Sequence, residues 1–221
     1  MEKTRWESDS IGALEIPADA YYGVQSYRGQ QNFRITGIPL DHRFIRNIVR
    51  IKQAAAKTNR AVGLLDEKTA AAILAACGEA LAGELDSGFI TDAIQGGAGT
   101  TANMNVNEVI ANRATELLGG KKGEYLCHPN DHVNCSQSTN DVIPTAGRLT
   151  VLDLWGELDG NIAALIAALE GKAKQFDGIV KMGRTQLEDA VPIRLGQEFS
   201  AYASGIRRCR TLLSRAVSEM Y

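Results

Sequence analysis

From Trp155 to Phe176, and again from Leu195 to Met220, apolar residues return every three or four positions without a break. The first stripe is Trp155, Leu158, Ile162, Leu165, Leu169, Ala173 and Phe176. The second is Leu195, Phe199, Tyr202, Ile206, Cys209, Leu213, Ala216 and Met220. A period near 3.5 residues held over several turns is the signature of long helices packed side by side. A two-domain, mainly all-α chain is therefore expected. Residues 1–140 would form a mostly helical domain with short strands, and residues 141–221 the start of a long-helix bundle. The last helix should open near Pro192, since proline is tolerated in a first turn. At roughly 28 residues it would be about 42 Å long. Its stripe reaches Tyr221 with no glycine, asparagine or proline to stop it, the pattern expected of a piece of a longer polypeptide.

The rest of the chain is shorter in rhythm. The first forty residues read as irregular, with a short extended piece, Ile11 to Pro17. Phe44, Ile48, Ile51, Ala55 and Thr58 mark one face of a helix. Asp66 suits the N-cap of another, carrying Ile73, Cys77, Leu81 and Leu85. Val106, Ile110, Ala114 and Leu117 mark a third, stopped by Gly119-Gly120. A short loop holding Gly178 and Gly183 separates the two long helices.

Composition narrows the function. A net charge of -2 offers no footprint for nucleic acid. No apolar run approaches the ~20 residues needed to span a bilayer, and the charged N-terminus lacks the apolar stretch of a signal peptide. Four scattered cysteines, Cys77, Cys127, Cys135 and Cys209, do not form a disulfide framework and fit a reducing cytoplasm. Cys127, His128, His132 and Cys135 crowd nine residues, but without familiar ligand spacing, so no metal site is expected.

Three polar clusters stand just before helices. Gly96-Gly-Ala-Gly-Thr-Thr-Ala-Asn103 could bring backbone N–H groups and a helix N-terminus to a carboxylate. It lacks the Lys-Ser/Thr ending of a phosphate loop. Ser138, Thr139 and Asn140 exceed what one N-cap requires. Thr185 and Glu188 have capping-box spacing, which leaves Arg184 and Gln186 unexplained. For each cluster, ordinary capping and ligand contact both remain open on spacing alone. No Ser-His-Asp set or paired-carboxylate motif stands out.

Taken in order, Gly-Gly-Ala-Gly-Thr-x-x-Asn-Met-Asn-x-Asn-Glu (96–108), His-Pro-Asn-Asp-His-Val-Asn-x-x-Gln-Ser-Thr-Asn-Asp (128–141) and Lys-Met-Gly-Arg-Thr-Gln-Leu-x-Asp-Ala-Val-Pro (181–192) resemble the aspartase/fumarase superfamily. Pro17-Ala-Asp-Ala-Tyr-Tyr-Gly-Val-Gln25 resembles it too. The resemblance implies a mainly helical homotetramer with active sites assembled from three chains. It implies reversible anti elimination giving fumarate, with no cofactor and no metal. Thr100, Ser138, Thr139, Asn140 and Thr185 would hold a small dicarboxylate, with Gln186 beside them. His128, Asn130 and Asp131 match a secondary carboxylate-binding segment of fumarases. Ser-Thr-Asn at 138–140 and Gln186 point to the aspartase branch, which deaminates L-aspartate, where fumarases usually carry Ser-Ser-Asn and histidine. Ala98 stands where fumarases tend to carry serine, and Glu188 departs from the glutamine usual to both. The family's base is a serine in a glycine-serine-serine loop, and no such segment lies in these residues. This stretch alone is therefore expected to be inactive.

Overall fold

The computed structural model describes residues 3–221. It is mainly helical, with two antiparallel hairpins: β1 (Thr4–Asp9) with β2 (Gly12–Pro17), and β3 (Val180–Thr185) with β4 (Glu188–Arg194). The helices are α1 (Val24–Asn32), α2 (His42–Ala61), α3 (Glu67–Ala82), α4 (Thr100–Leu117), α5 (Thr139–Gln175) and α6 (Leu195–Ser218). The chain divides into two compact units, Met1–Thr150 and Val151–Tyr221, with the division inside α5.

In the first unit α2, α3 and α4 surround one core that includes Ile48, Val49, Ile73, Cys77, Val106, Val109 and Ile110. The start of α5 adds Val142 and Ala146 to it. Local signals set the helix ends. Asp66 accepts from the N–H groups of Lys68 and Thr69, and Gly83 closes α3 in the left-handed conformation at φ 89°. Asp41 caps α2 through the Arg43 N–H.

Helix α4 is buried almost all round, although it carries Asn103, Asn105, Asn107, Glu108 and Asn112. Buried polar side chains need partners, and several of these find theirs in loops. Asn105 donates to Gly88 O and accepts from Ile90 N–H. Asn112 donates to Tyr21 O and accepts from Gly123 N–H. Glu108 accepts from the N–H groups of Gly23, Gln25 and Ser26 and from Ser26 Oγ. Glu7 of β1 takes the Val24 N–H and the Tyr125 hydroxyl. Two carboxylates thus satisfy the N-terminus of α1 from outside it, where the helix dipole favours them. Burial still holds the Glu108 carboxyl above its ordinary range, against the opposing pull of the Ser26 and Gln25 hydrogen bonds.

Four sequence expectations change. The first forty residues are not irregular throughout: α1 lies there, and its N–H groups are capped by distant carboxylates that no local pattern announces. The buried face of α2 is rotated from the apolar stripe. Thr58 is exposed and its hydroxyl returns to Ala54 O, while Lys52 and Asn59 are buried. The last helix begins at Leu195, not near Pro192, because Glu188–Arg194 forms a strand. Thr185 and Glu188 are not a capping box. They face each other across a two-residue turn, with Gln186 and Leu187 both left-handed at φ 50° and 64°. Proline is tolerated in β4 because each strand of a two-stranded ribbon keeps one unpaired edge.

In the second unit α5 and α6 are joined by Arg210 to both carboxylate oxygens of Asp159 (2.6 and 2.7 Å), and by the Phe176 and Phe199 rings at 5.4 Å. Leu154, Leu158, Leu165, Tyr202, Leu212 and Leu213 remain exposed, an apolar surface larger than two helices cover by themselves. Among the described residues no helix is long and apolar enough to cross a membrane.

Candidate active site

The glycine cluster bends the chain sharply into α4. Gly97, Ala98 and Gly99 are successively left-handed, at φ 70°, 51° and 89°. Alanine is strained there, since its Cβ crowds the following carbonyl. A Cβ at Gly99 would stand 2.8 Å from Ile143, so glycine is what lets this turn press against the start of α5. The Thr100 hydroxyl donates to Gly97 O at 2.6 Å. Its proton is engaged, and its remaining lone pairs face any donor that approaches. Gln95 reaches forward to accept the Ala102 N–H at 2.6 Å.

Ser138 acts as the N-cap of α5, its Oγ accepting from the Asn140 N–H at 3.2 Å. Thr139 Oγ1 accepts from Asn103 Nδ2, also at 3.2 Å. Asn103 lies one turn beyond Thr100 on α4, so the starts of α4 and α5 are tied together. Two of the three polar clusters therefore share one surface of the first unit. Each hydroxyl of the second cluster accepts a hydrogen bond and keeps its own proton to donate, which suits a carboxylate. Asn140 is exposed. Pro144, within the second turn of α5, supplies no N–H toward the Asn140 carbonyl.

The segment before this turn is held by side-chain amides. Asn134 Nδ2 donates to Gln137 O, Gln137 Nε2 to Val133 O and Cys135 O, and Asn59 Nδ2 to Cys135 O. Behind Asn134 stands Lys52, fully buried, its Nζ 2.6 Å from Asn134 Oδ1. Burial pushes the Lys52 ammonium down to about 7. Sequence reading missed Lys52, and it named Asn103 only as the end of the glycine cluster, not as a tie to Thr139. The clue was present in the helical register: Lys52 lies four residues after Ile48 and seven before Asn59, on the buried side.

His128 and Asn130 line a cavity of about 520 Å³ together with Asp9, Gln25, Arg28 and Thr101. His128 Nδ1 accepts from the Asp131 N–H at 3.2 Å and lies 3.2 Å from the Asp131 carboxylate. Asp131 itself is exposed and does not line that cavity. Thr101 places the cavity beside the first turn of α4. Cys127, next to His128, is buried, and its thiol is pushed up to about 12. Such a thiol stays protonated at neutral pH.

Thr185 and Gln186 lie in the second unit, at the exposed tip of the β3–β4 hairpin. Arg184 pairs across the strands with Asp189. Leu187 is 104% exposed, although its backbone is left-handed. Strained residues of this kind cluster at functional sites.

The chain as a whole is similar to known proteins. The family described as Lyase matches residues 12–221. The chain is 51% identical to the class II fumarate hydratase of Halobacterium salinarum, over 94% of this chain and 44% of that protein. It is 49% identical to the aspartate ammonia-lyase of Pseudomonas aeruginosa, over 100% of this chain and 47% of that protein. The native crystal structure of fumarate lyase:delta crystallin from Brucella melitensis superposes with a TM-score of 0.90 at 47% identity, covering 99% of this chain and 51% of that one. The chain thus spans about half the length of the relatives it matches. By its sequence and its fold, this chain belongs to the lyase family of the aspartase/fumarase superfamily.

Proposed function

We propose that this chain is the N-terminal part of an ammonia-lyase that converts L-aspartate reversibly to fumarate and ammonia. The reading rests above all on Asn103, which ties Thr139 on α5 to the helix that begins at Thr100. It is supported by relatives named aspartate ammonia-lyase, including that of Bacillus subtilis at 46% identity.

The chemistry asks for this kind of surface. Removing a proton from Cβ builds a second negative charge on the neighbouring carboxylate. Donors placed there stabilise the transition state more than the ground state. Ser138 and Thr139 hold free hydroxyl protons for that carboxylate. The Thr100 hydroxyl, its proton engaged by Gly97 O, is left as an acceptor for the ammonium that must depart. Asn140 joins them, and Thr185 and Gln186 contact substrate in an active site assembled from three chains. His128, Asn130 and Asp131 form a second carboxylate-binding segment, of which His128 and Asn130 reach the cavity. A serine base in a segment outside these residues takes the Cβ proton; the electron pair held on the carboxylate then forms the double bond and expels the amino group, so the 221-residue chain alone turns over no substrate. The working enzyme is a cytoplasmic homotetramer whose bundles cover the exposed leucines of α5 and α6.

A polypeptide of full family length should release fumarate from L-aspartate, followed by its ultraviolet absorbance, and none from L-malate. Thr185→Ala should lower turnover about a hundredfold or more, the usual scale for one lost transition-state donor. Unchanged turnover would return Thr185 to a purely structural role. The Halobacterium relative keeps fumarate hydration as the second reading, and activity on malate instead of aspartate would establish it.

A further inference from the structure

Lys52 is the largest fully buried side chain of the first unit. Among the described residues it has no carboxylate partner, and its one hydrogen bond goes to Asn134 Oδ1 at 2.6 Å. An unpaired buried amine is costly, and a methionine of similar length would fill the same space without that cost. What the amine adds is donors. Asn134 Oδ1 receives Lys52 Nζ and also Asn103 Nδ2, at 3.2 Å. With two donors converging on the oxygen, the Asn134 amide cannot flip, because its NH2 end would then face them. The Nδ2 end is thereby aimed at Gln137 O, 3.0 Å away. The same Asn103 Nδ2 reaches Thr139 Oγ1. The lysine, the two asparagines and the threonine hydroxyl form one relay from the core of α2 to the start of α5.

We infer that Lys52 is a positioning residue, which fixes the Ser138–Thr139–Asn140 turn by orienting Asn134 and Asn103. It touches no substrate. Its effect on turnover rests on the reading of that turn as the carboxylate grip; its effect on the turn itself does not.

Amide hydrogen exchange on the 221-residue chain tests the positioning directly. Lys52→Met should speed exchange of the amides from Asn134 to Val142 about tenfold and leave α3 protected. Lys52→Gln, which keeps a donor, should fall between. Unchanged exchange in the turn overturns the inference. So does uniform loss of protection across α2, α3 and α4 in both variants, which would make Lys52 a requirement of the whole fold. In a polypeptide of family length, Lys52→Met should lower kcat about tenfold or more, with Lys52→Gln recovering part of it and KM changing less. Thr139→Val serves as the control. If it leaves turnover intact while the exchange result holds, the carboxylate grip fails and the positioning stands. If Thr139→Val cripples turnover and Lys52→Met does not, the functional part of the inference fails alone.

Discussion

A buried amine without a counter-charge leaves a mark on stability that can be measured against pH. Lys52 is fully buried, and desolvation pushes its ammonium down from 10.5 to about 7, outweighing an opposing influence of Cys77. The Cys77 thiol of α3 is itself pushed up to about 12 by burial, so it stays neutral over most of this range. In the unfolded chain Lys52 takes up its proton below pH 10.5; in the folded chain it does so only near 7. Between those values the unfolded state binds more protons, so stability must fall as pH falls. At about 1.4 kcal/mol for each tenfold change, the loss between pH 10 and pH 7 is on the order of 4 kcal/mol. Lys52→Met removes the proton and keeps most of the volume. Urea unfolding of both proteins under reducing conditions at pH 7, 8, 9 and 10 isolates the effect, because other titrating groups cancel in the difference. The variant should gain on the natural protein by several kcal/mol as pH drops to 7, then hold level below it. A difference that stays flat from pH 10 to pH 7 would refute the desolvation argument.

Three further substitutions probe other parts. Leu187→Gly should raise the melting temperature by the equivalent of about 1 kcal/mol, since glycine relieves a left-handed residue whose side chain is fully exposed; calorimetry checks it, and a lower melting point would contradict the turn assignment. Gly99→Ala should cost about 2–4 kcal/mol, because φ is 89° and the new Cβ would meet Ile143 at 2.8 Å; denaturant titration reads it. Glu108→Gln should cost about 2–4 kcal/mol, because an amide cannot accept on both atoms from the four donors at the start of α1. Circular dichroism at neutral pH would show an earlier transition, and an unchanged one would mean those donors turn to other partners.

Much of the fold was legible because it is periodic. The stripes from Trp155 to Phe176 and from Leu195 onward announced α5 and α6, and Asp66 announced the start of α3. The β3–β4 hairpin stayed hidden because its turn residues, Gln186 and Leu187, are not ones that favour left-handed backbone. Thr185 and Glu188 also imitated a capping box at the right spacing. Helix α1 stayed hidden because its capping carboxylates, Glu7 and Glu108, come from distant positions. The polar clusters were visible as surplus hydroxyls and glycines. Their mutual placement was not, because it depends on Asn103 and on Ile143 fitting against Gly99, contacts made only when two helix starts meet. Lys52 escaped for a related reason: a lysine in a helix ordinarily faces water, and its register with Ile48 does not by itself overrule that expectation.

The opening hairpin has a practical consequence. Glu7 secures the first helix and, through the Tyr125 hydroxyl, the loop ahead of His128, while Ser8, Asp9 and Ser10 wall the cavity that His128 and Asn130 share. Anyone trimming the leading residues to tidy an expression plasmid would remove a latch and a wall together. The damage would surface more than a hundred positions downstream, at the histidine loop.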